Sequence, residues 1–348
     1  MPHRIGNLYS KMISYENCVQ AELTMAKNKH KNHLAQRIKR NPEKYAKSLF
    51  EKLPNYSFHK YRTATIKDSY KGKERGLKIP NLEDQAAMQA WLLVAVPYIE
   101  RKNYYYNCGS IPKAGQTRSV CALKKWLRQY KEYGLVTDIK KFYDTCPHKT
   151  VINQLSRIFK DKKFVDFAAK ILSSMSSTGI GLAIGFPVSH WFANIVLIQL
   201  DHKIKRIFNH IKYTRYMDDC AFVANNRYML RKLLTLLNKE VNILGITLKR
   251  SQQIFHIPIR GLTFLSYRFF YKQTLLVKGL MFRISRKMKK ARINHSLQFM
   301  QGVVSYFGIL KQCNSYNYRT IHVYPYITKI KACKIISNLC KQNNKVVI

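Results

Sequence analysis

Between Tyr213 and Asn226 the chain reads YTRYMDDCAFVANN, and two of its few acids, Asp218 and Asp219, stand side by side among apolar residues. Its 348 residues carry 62 Lys+Arg against 18 Asp+Glu, so acids are scarce and an adjacent pair is not filler. Neighbouring carboxylates repel one another, and partial burial raises the cost of ionising both. A divalent cation between them removes that cost. A third acid, Asp138, ends the apolar run of LVTDIKK just before a basic turn. One acid from each of two adjacent strands suits a pair of Mg²⁺ ions, for which Mn²⁺ can substitute, with water and substrate phosphates completing an octahedral oxygen shell. The chemistry implied is in-line phosphoryl transfer: one ion lowers the pKa of an attacking hydroxyl and the other stabilises a pyrophosphate leaving group. The protein then works mainly by positioning and charge neutralisation.

These acids need elements to hold them. The segment around Asp218 has apolar or aromatic residues on both sides and Asn225-Asn226 beyond, which predicts a β-hairpin with the acids at its tip. YGLVTDIKKFYDTCP predicts a strand ending in a turn at Asp138, closed by Pro147, with helices over roughly 148–160 and 163–176. Gly179, Gly181, Gly185 and Pro187 punctuate an irregular loop, after which Ser189 is expected to cap a long helix. A helix over 228–243, a strand GITLKR and a hairpin in GLTFLSYRFFYKQTLLV complete a mixed α+β core. Upstream, residues 1–50 are basic with helical period, GKERGLKIPNLEDQ reads as a strand-loop, and DQAAMQAWLLVAVPYIE as a helix buried on most sides. SVCALKKWLRQYKEY has helical spacing with a basic face, and beyond about residue 283 the chain is helical and basic.

A formal net charge of +44 would make an isolated body repel itself and calls for a polyanionic partner. The 23 Tyr and 17 Phe are interleaved with the cations, as suits bases stacking beside backbone contacts. No apolar run reaches the roughly 18 residues of a membrane span, and MPHRIGNLYSK lacks the apolar segment of a signal peptide. The eight cysteines are scattered without a C-x-x-C pair, so reduced thiols in a cytoplasmic protein are expected rather than a zinc or disulfide framework.

Several of these segments together resemble the reverse transcriptases. YMDD, preceded by YTR, resembles their motif C and TDIKKFYD their motif A. RGLKIPNLEDQAAMQA is similar to the fingers motif, GIGLAIGFPVSHWFAN to motif B, LGITLKRSQQ to motif D, and GLTFLSYRF to the primer-grip hairpin. The resemblance runs from about residue 70 to 320. It implies a right-hand polymerase of fingers, palm and thumb, with an antiparallel palm sheet carrying the YMDD hairpin and a helical basic thumb. The implied divisions are a basic N-terminal extension at 1–70, fingers with part of the palm at 71–137, palm at 138–282, and thumb with a tail at 283–348. Residue by residue, Asp138, Asp218 and Asp219 match the catalytic carboxylates, and the Ile139 carbonyl assists in metal binding. Tyr143 matches the aromatic gate that selects deoxynucleotides. Arg75, with Lys73 and Lys78 nearby, matches the fingers cation on the triphosphate, and Lys249 the motif D acid for pyrophosphate. Ile184 and Gly185 lie in the dNTP-side loop. Tyr216, Met217, Phe264, Leu265 and Tyr267 match primer and template contacts, with Ser266 standing where the family usually has Gly.

The Ile184-Gly185 pair replaces the usual Gln-Gly of motif B and resembles the enzymes of diversity-generating retroelements, although His190 occupies the position of their Gln. NYYYNCGSIPKAGQTRSVCALKKWL is more similar to stand-alone bacterial enzymes of antiphage defence. Either lineage implies a dedicated noncoding RNA template, dNTPs, a DNA product and a ribonucleoprotein, with an accessory or second polymerase subunit as a further expectation and no membrane partner. The competing class is a non-catalytic RNA-binding scaffold, and a template-independent terminal transferase would use the same metal site. Priming by RNA, DNA or a protein hydroxyl stays open.

Overall fold

The computed structural model describes residues 4–67, 74–112, 114–129, 132–250 and 252–345. At its centre lies a four-stranded antiparallel sheet with the spatial order β4 (Lys212–Tyr216), β5 (Asp219–Ala224), β3 (Tyr133–Thr137), β6 (Ile254–His256). Successive side chains of a strand point to opposite faces. In β5 that alternation sends Phe222 and Ala224 into one apolar core, and Ala221 and Val223 into another. The strand that follows the paired acids is therefore clamped from both sides. Each core supplies one clamp.

The larger core gathers the N-terminal helices Tyr15–Ala26, His33–Arg40 and Pro42–Lys52 with the helices Leu82–Lys102, His148–Ile158, Lys162–Met175, Ser189–Ile207 and Arg227–Ile243. Side-chain oxygens start several of these helices by accepting from backbone N–H groups: Asn81 accepts from Asp84, Asp161 from Phe164, and Asn226 from Tyr228. A separate antiparallel pair, β1 (Arg62–Lys67) and β2 (Glu74–Ile79), stands beside this core. The boundary expected at residue 70 lies outside the described residues, between β1 and β2 in sequence.

The second core lies under the helix Gly115–Gln129 and the three-stranded sheet β7 (Leu262–Phe264), β8 (Tyr267–Phe269), β9 (Thr274–Leu276). The helices Lys278–Lys290, Leu297–Lys311 and Lys329–Lys345 pack on it and form the basic C-terminal layer.

Two local expectations are corrected. GITLKR is not a strand; its only pairing is the isolated bridge Ile139↔Leu248, because the stretch joins the turn after Asp138 rather than the sheet. Ser189 does not cap its helix. Val188 occupies the cap, and the Ser189 hydroxyl donates to the Ala183 carbonyl at 2.6 Å, tying the glycine loop down instead. Among the described residues no helix is long and apolar enough to cross a membrane, and all eight cysteines are free.

Candidate active site

The hairpin of β4 and β5 turns on two residues, Met217 and Asp218, with Tyr216 paired to Asp219. Met217 has φ 58°, a region costly for a residue with a Cβ. Asp138 follows the end of β3, the neighbour of β5, with Thr137 paired to Cys220. The sheet thus brings all three acids to one edge. They line a cleft of about 710 Å³ together with Ile139, Tyr143, Arg75, Lys78, Ile184 and Lys249.

Three segments separated in sequence are laced together to make that cleft. The turn after Asp138 is bound to 247–249 by backbone bonds from Lys140 N to Thr247 O at 2.8 Å and from Lys249 N to Asp138 O at 2.9 Å. The glycine loop joins the same turn through Leu182 N to Tyr143 O at 2.6 Å and Gly181 N to Cys146 O at 2.8 Å. On its other side Lys78 N donates to Ile184 O at 2.8 Å. Gly185, at φ 112°, would place a Cβ 2.3 Å from the Lys78 carbonyl, so only glycine lets the loop approach β2 this closely. Ile184 and Gly185 are therefore the contact between the loop and the fingers hairpin.

The three acids are close enough to act on one another's ionisation. Desolvation, then Asp219, then Asp138 push the Asp218 carboxyl from its ordinary 3.8 up to about 7, and it shares a hydrogen bond with the Asp138 carboxylate. Asp138 also pairs with the Lys249 ammonium. Burial and the nearby Asp218 charge push the Tyr143 phenol well above its usual value, opposed by Arg75. Among the described residues no three His, Cys, Asp or Glu side chains form a preformed metal cage. Carboxylates on an open cleft, mutually repelling, instead fit an ion such as Mg²⁺ that keeps several water or phosphate ligands.

The surroundings of the other expected residues are as follows. The Lys78 ammonium donates to the Met175 carbonyl at 2.6 Å and lies 4.8 Å from the Tyr61 ring centroid, although its side chain lines the cleft. Phe264 and Tyr267 are buried in the second core, where the Tyr267 hydroxyl donates to Ile309 O at 3.1 Å. Leu265 and Ser266 form the turn of β7–β8, and Gln116 Nε2 donates to Leu265 O at 2.7 Å. Tyr216 is half-buried against the second core. Lys73 lies outside the described residues. Asp144, Lys140 and Lys141 also line the cleft, and the only sequence signal for them was their position within the turn after Asp138. Beneath the hairpin, Arg215 and Asp201 form a buried ion pair that the sequence reading missed.

Comparison with known proteins agrees with this geometry. The family model described as "Reverse transcriptase (RNA-dependent DNA polymerase)" matches residues 66–269. A "Putative COX1/OXI3 intron 2 protein" from Saccharomyces cerevisiae is 26% identical over 147 residues, covering 40% of this chain and 17% of that protein. Among solved structures, telomerase from Candida albicans with a TWJ fragment of telomeric RNA superposes with a TM-score of 0.50 at 10% identity, over 79% of this chain and 59% of that one. Apo telomerase from Candida tropicalis gives a TM-score of 0.50 at 12% identity, over 76% and 61%. The chain thus spans about a sixth of the curated relative and under two thirds of each structural neighbour. The shared architecture is a right-hand polymerase built on an antiparallel sheet.

Proposed function

This chain belongs to the reverse transcriptase family, and from that premise we propose that it is an RNA-directed DNA polymerase, with Asp138, Asp218 and Asp219 as its catalytic carboxylates. The observation that carries the reading is their convergence in one cationic cleft, where burial and the neighbouring Asp219 and Asp138 push the Asp218 carboxyl up to about 7. When bound, two Mg²⁺ ions would activate the primer hydroxyl and stabilise the departing pyrophosphate. Asp138, Asp218 and Asp219, with the Ile139 carbonyl, are the groups that would hold them. The remaining work falls to this chain's own side chains. Arg75 faces the same cleft from β2 and supplies positive charge for a triphosphate, with Lys78 behind it. Tyr143 lines the cleft, and its ring would exclude a ribose 2′-hydroxyl and so select dNTPs. Lys249, paired with Asp138, would deliver a proton to leaving pyrophosphate.

The finer reading is of a cytoplasmic ribonucleoprotein that copies a dedicated noncoding RNA in antiphage defence. Its support is the charge of +44, which suits a folded RNA kept bound, with binding that weakens as salt rises. The second reading, a mutagenic retroelement polymerase, is favoured by Ile184, which lines the cleft in place of the usual amide side chain. The test is to recover the protein from its native locus and sequence the co-purifying RNA and DNA, beside an Asp218→Ala/Asp219→Ala control. DNA copied from one RNA and absent in the control is the expected result. Adenine-directed errors in it would shift the role to the retroelement. RNA held equally by both proteins with no DNA would mark a non-catalytic scaffold.

A further inference from the structure

Arg215 is 1% exposed, on the strand that leads into the acids. Long cations are almost never fully buried unless paired, and the position one turn from the paired acids asks for a reason beyond packing. Its guanidinium makes a closed set of contacts. Nε donates to both Asp201 oxygens at 3.0 and 3.1 Å, and Nη2 donates to Asp201 Oδ2 at 2.5 Å. Nη1 reaches the other way, to Asn194 Oδ1 at 3.0 Å and to the Met217 carbonyl at 2.9 Å.

That last acceptor belongs to the peptide between Met217 and Asp218. Because the peptide unit is planar, holding its oxygen sets the plane from which Asp218 departs. The rest of the network holds the holder. Asp201 Oδ1 also accepts the Tyr213 hydroxyl at 3.1 Å, and Asn194 donates to Gly109 O at 2.9 Å while its Oδ1 accepts from Asn107 at 3.1 Å. Gly109 closes the tip from the far side: a Cβ there would lie 2.2 Å from Met217 N. Met217 at φ 58° is thus gripped at its carbonyl and walled at its nitrogen.

We propose that Arg215 is a positioning residue for the polymerase reaction: through the Met217 carbonyl, and backed by Asp201 and Asn194, it aims the Asp218 carboxylate at the metal. The inference rests on the polymerase reading above. A merely structural role would require only that the buried pair be neutralised. A positioning role requires the directional bond to Met217 as well.

The deciding variant is Arg215→Met with Asp201→Leu, which removes both buried charges together and so can keep the fold. Three quantities are read on the full chain: binding of a poly(rA)/oligo(dT) duplex, the single-turnover rate of dTTP addition, and Mn²⁺ affinity by electron paramagnetic resonance, with Asp218→Asn/Asp219→Asn as the low-affinity reference. Duplex binding should stay within about twofold of wild type, addition should slow about 100-fold, and Mn²⁺ should bind about tenfold more weakly. A folded double variant with wild-type rate and Mn²⁺ affinity overturns the proposal. Gly109→Ala, which leaves the ion pair intact and pushes on the Tyr216–Met217 peptide, should show the same losses, and a wild-type result there overturns it equally. If the wild-type chain binds Mn²⁺ yet adds no nucleotide, the polymerase reading is what fails, and the Mn²⁺ comparison still decides the role of Arg215.

Discussion

Two hairpins in this chain turn on two residues each, and both force residues with a Cβ into the left-handed region. In β4–β5 it is Met217, at φ 58°; in β7–β8 it is both Leu265 and Ser266, at 49° and 70°. Such residues cost about 1–3 kcal/mol each and persist only where the surroundings enforce them. The surroundings differ. Under β7–β8, Phe264 and Tyr267 sink into an apolar core. Under the tip of β4–β5 lies a guanidinium with its carboxylate and amide partners. An apolar support is non-directional and fixes where a hairpin sits. A hydrogen-bonded support also fixes how the tip peptide is turned. Each tip carbonyl accepts one side-chain bond, from Gln116 at Leu265 and from Arg215 at Met217, but the guanidinium under the carboxylates is itself fixed by a buried carboxylate and an amide.

The sharpest way to break the comparison is at the first tip. Asp218→Asn keeps the size of the side chain and removes its charge. Extension of an oligo(dT) primer on poly(rA) should fall at least about 1,000-fold, or roughly 4 kcal/mol of lost transition-state stabilisation, while duplex binding and fold are kept. A variant that still extends at more than a tenth of the wild-type rate would remove Asp218 from the metal site.

At the second tip the loss should be of stability, not chemistry. Phe264 is buried in the second core, and Phe264→Ala should cost about 3–5 kcal/mol of unfolding free energy, measured by urea denaturation. The rate per bound duplex should change far less than for Asp218→Asn. A large rate loss with unchanged stability would make Phe264 a primer contact.

The same contrast has a pH signature. Desolvation and the neighbouring Asp219 and Asp138 raise Asp218 in the folded chain from 3.8 to about 7. Between those values the folded state holds a proton that the unfolded state has released, so stability falls as pH rises through the window. In metal-free buffer Asp218→Asn should therefore gain on the wild type as pH goes from 5 to 8, by about 2 kcal/mol. Glu22, pushed up to about 7 mainly by burial, titrates alike in both proteins and cancels in the difference. Added Mg²⁺ should close the gap at pH 8, as read by thermal melting. A gap that shrinks with rising pH contradicts the arrangement of the acids.

What was legible in the sequence follows the same division. Strand alternation and the flanking Asn225-Asn226 were enough for the β4–β5 hairpin, and the scarcity of acids singled out Asp138, Asp218 and Asp219. Arg215 could not be recognised, because in a chain with 62 Lys+Arg nothing local distinguishes a buried cation from a solvated one. Its partners Asp201 and Asn194 stand on the helix Ser189–Ile207 and the Met217 carbonyl on the hairpin turn, and only the tertiary fold brings them together. A serine before a helix usually caps it, but the Ser189 hydroxyl donates to Ala183 O across the loop instead. Phe264 and Tyr267 alternate as a strand facing either a ligand or a core would, and only tertiary packing decides between the two.

The smallest expected effect is at Ser266. Its φ of 70° is one that glycine adopts without a Cβ penalty, so Ser266→Gly relieves the folded state. Glycine also widens the unfolded ensemble, which opposes the gain by about 0.4–1 kcal/mol. The net should be a stabilisation of no more than about 1 kcal/mol, with primer extension unchanged. Met217→Gly offers the matched change at the other tip. There the backbone relief is similar, but the thioether packed beside Asn194 is lost and the peptide plane held by Arg215 gains freedom. Extension should slow about tenfold with little change in melting temperature. Equal behaviour of the two glycine variants would mean that the tip of β4–β5 needs no more aiming than the tip of β7–β8.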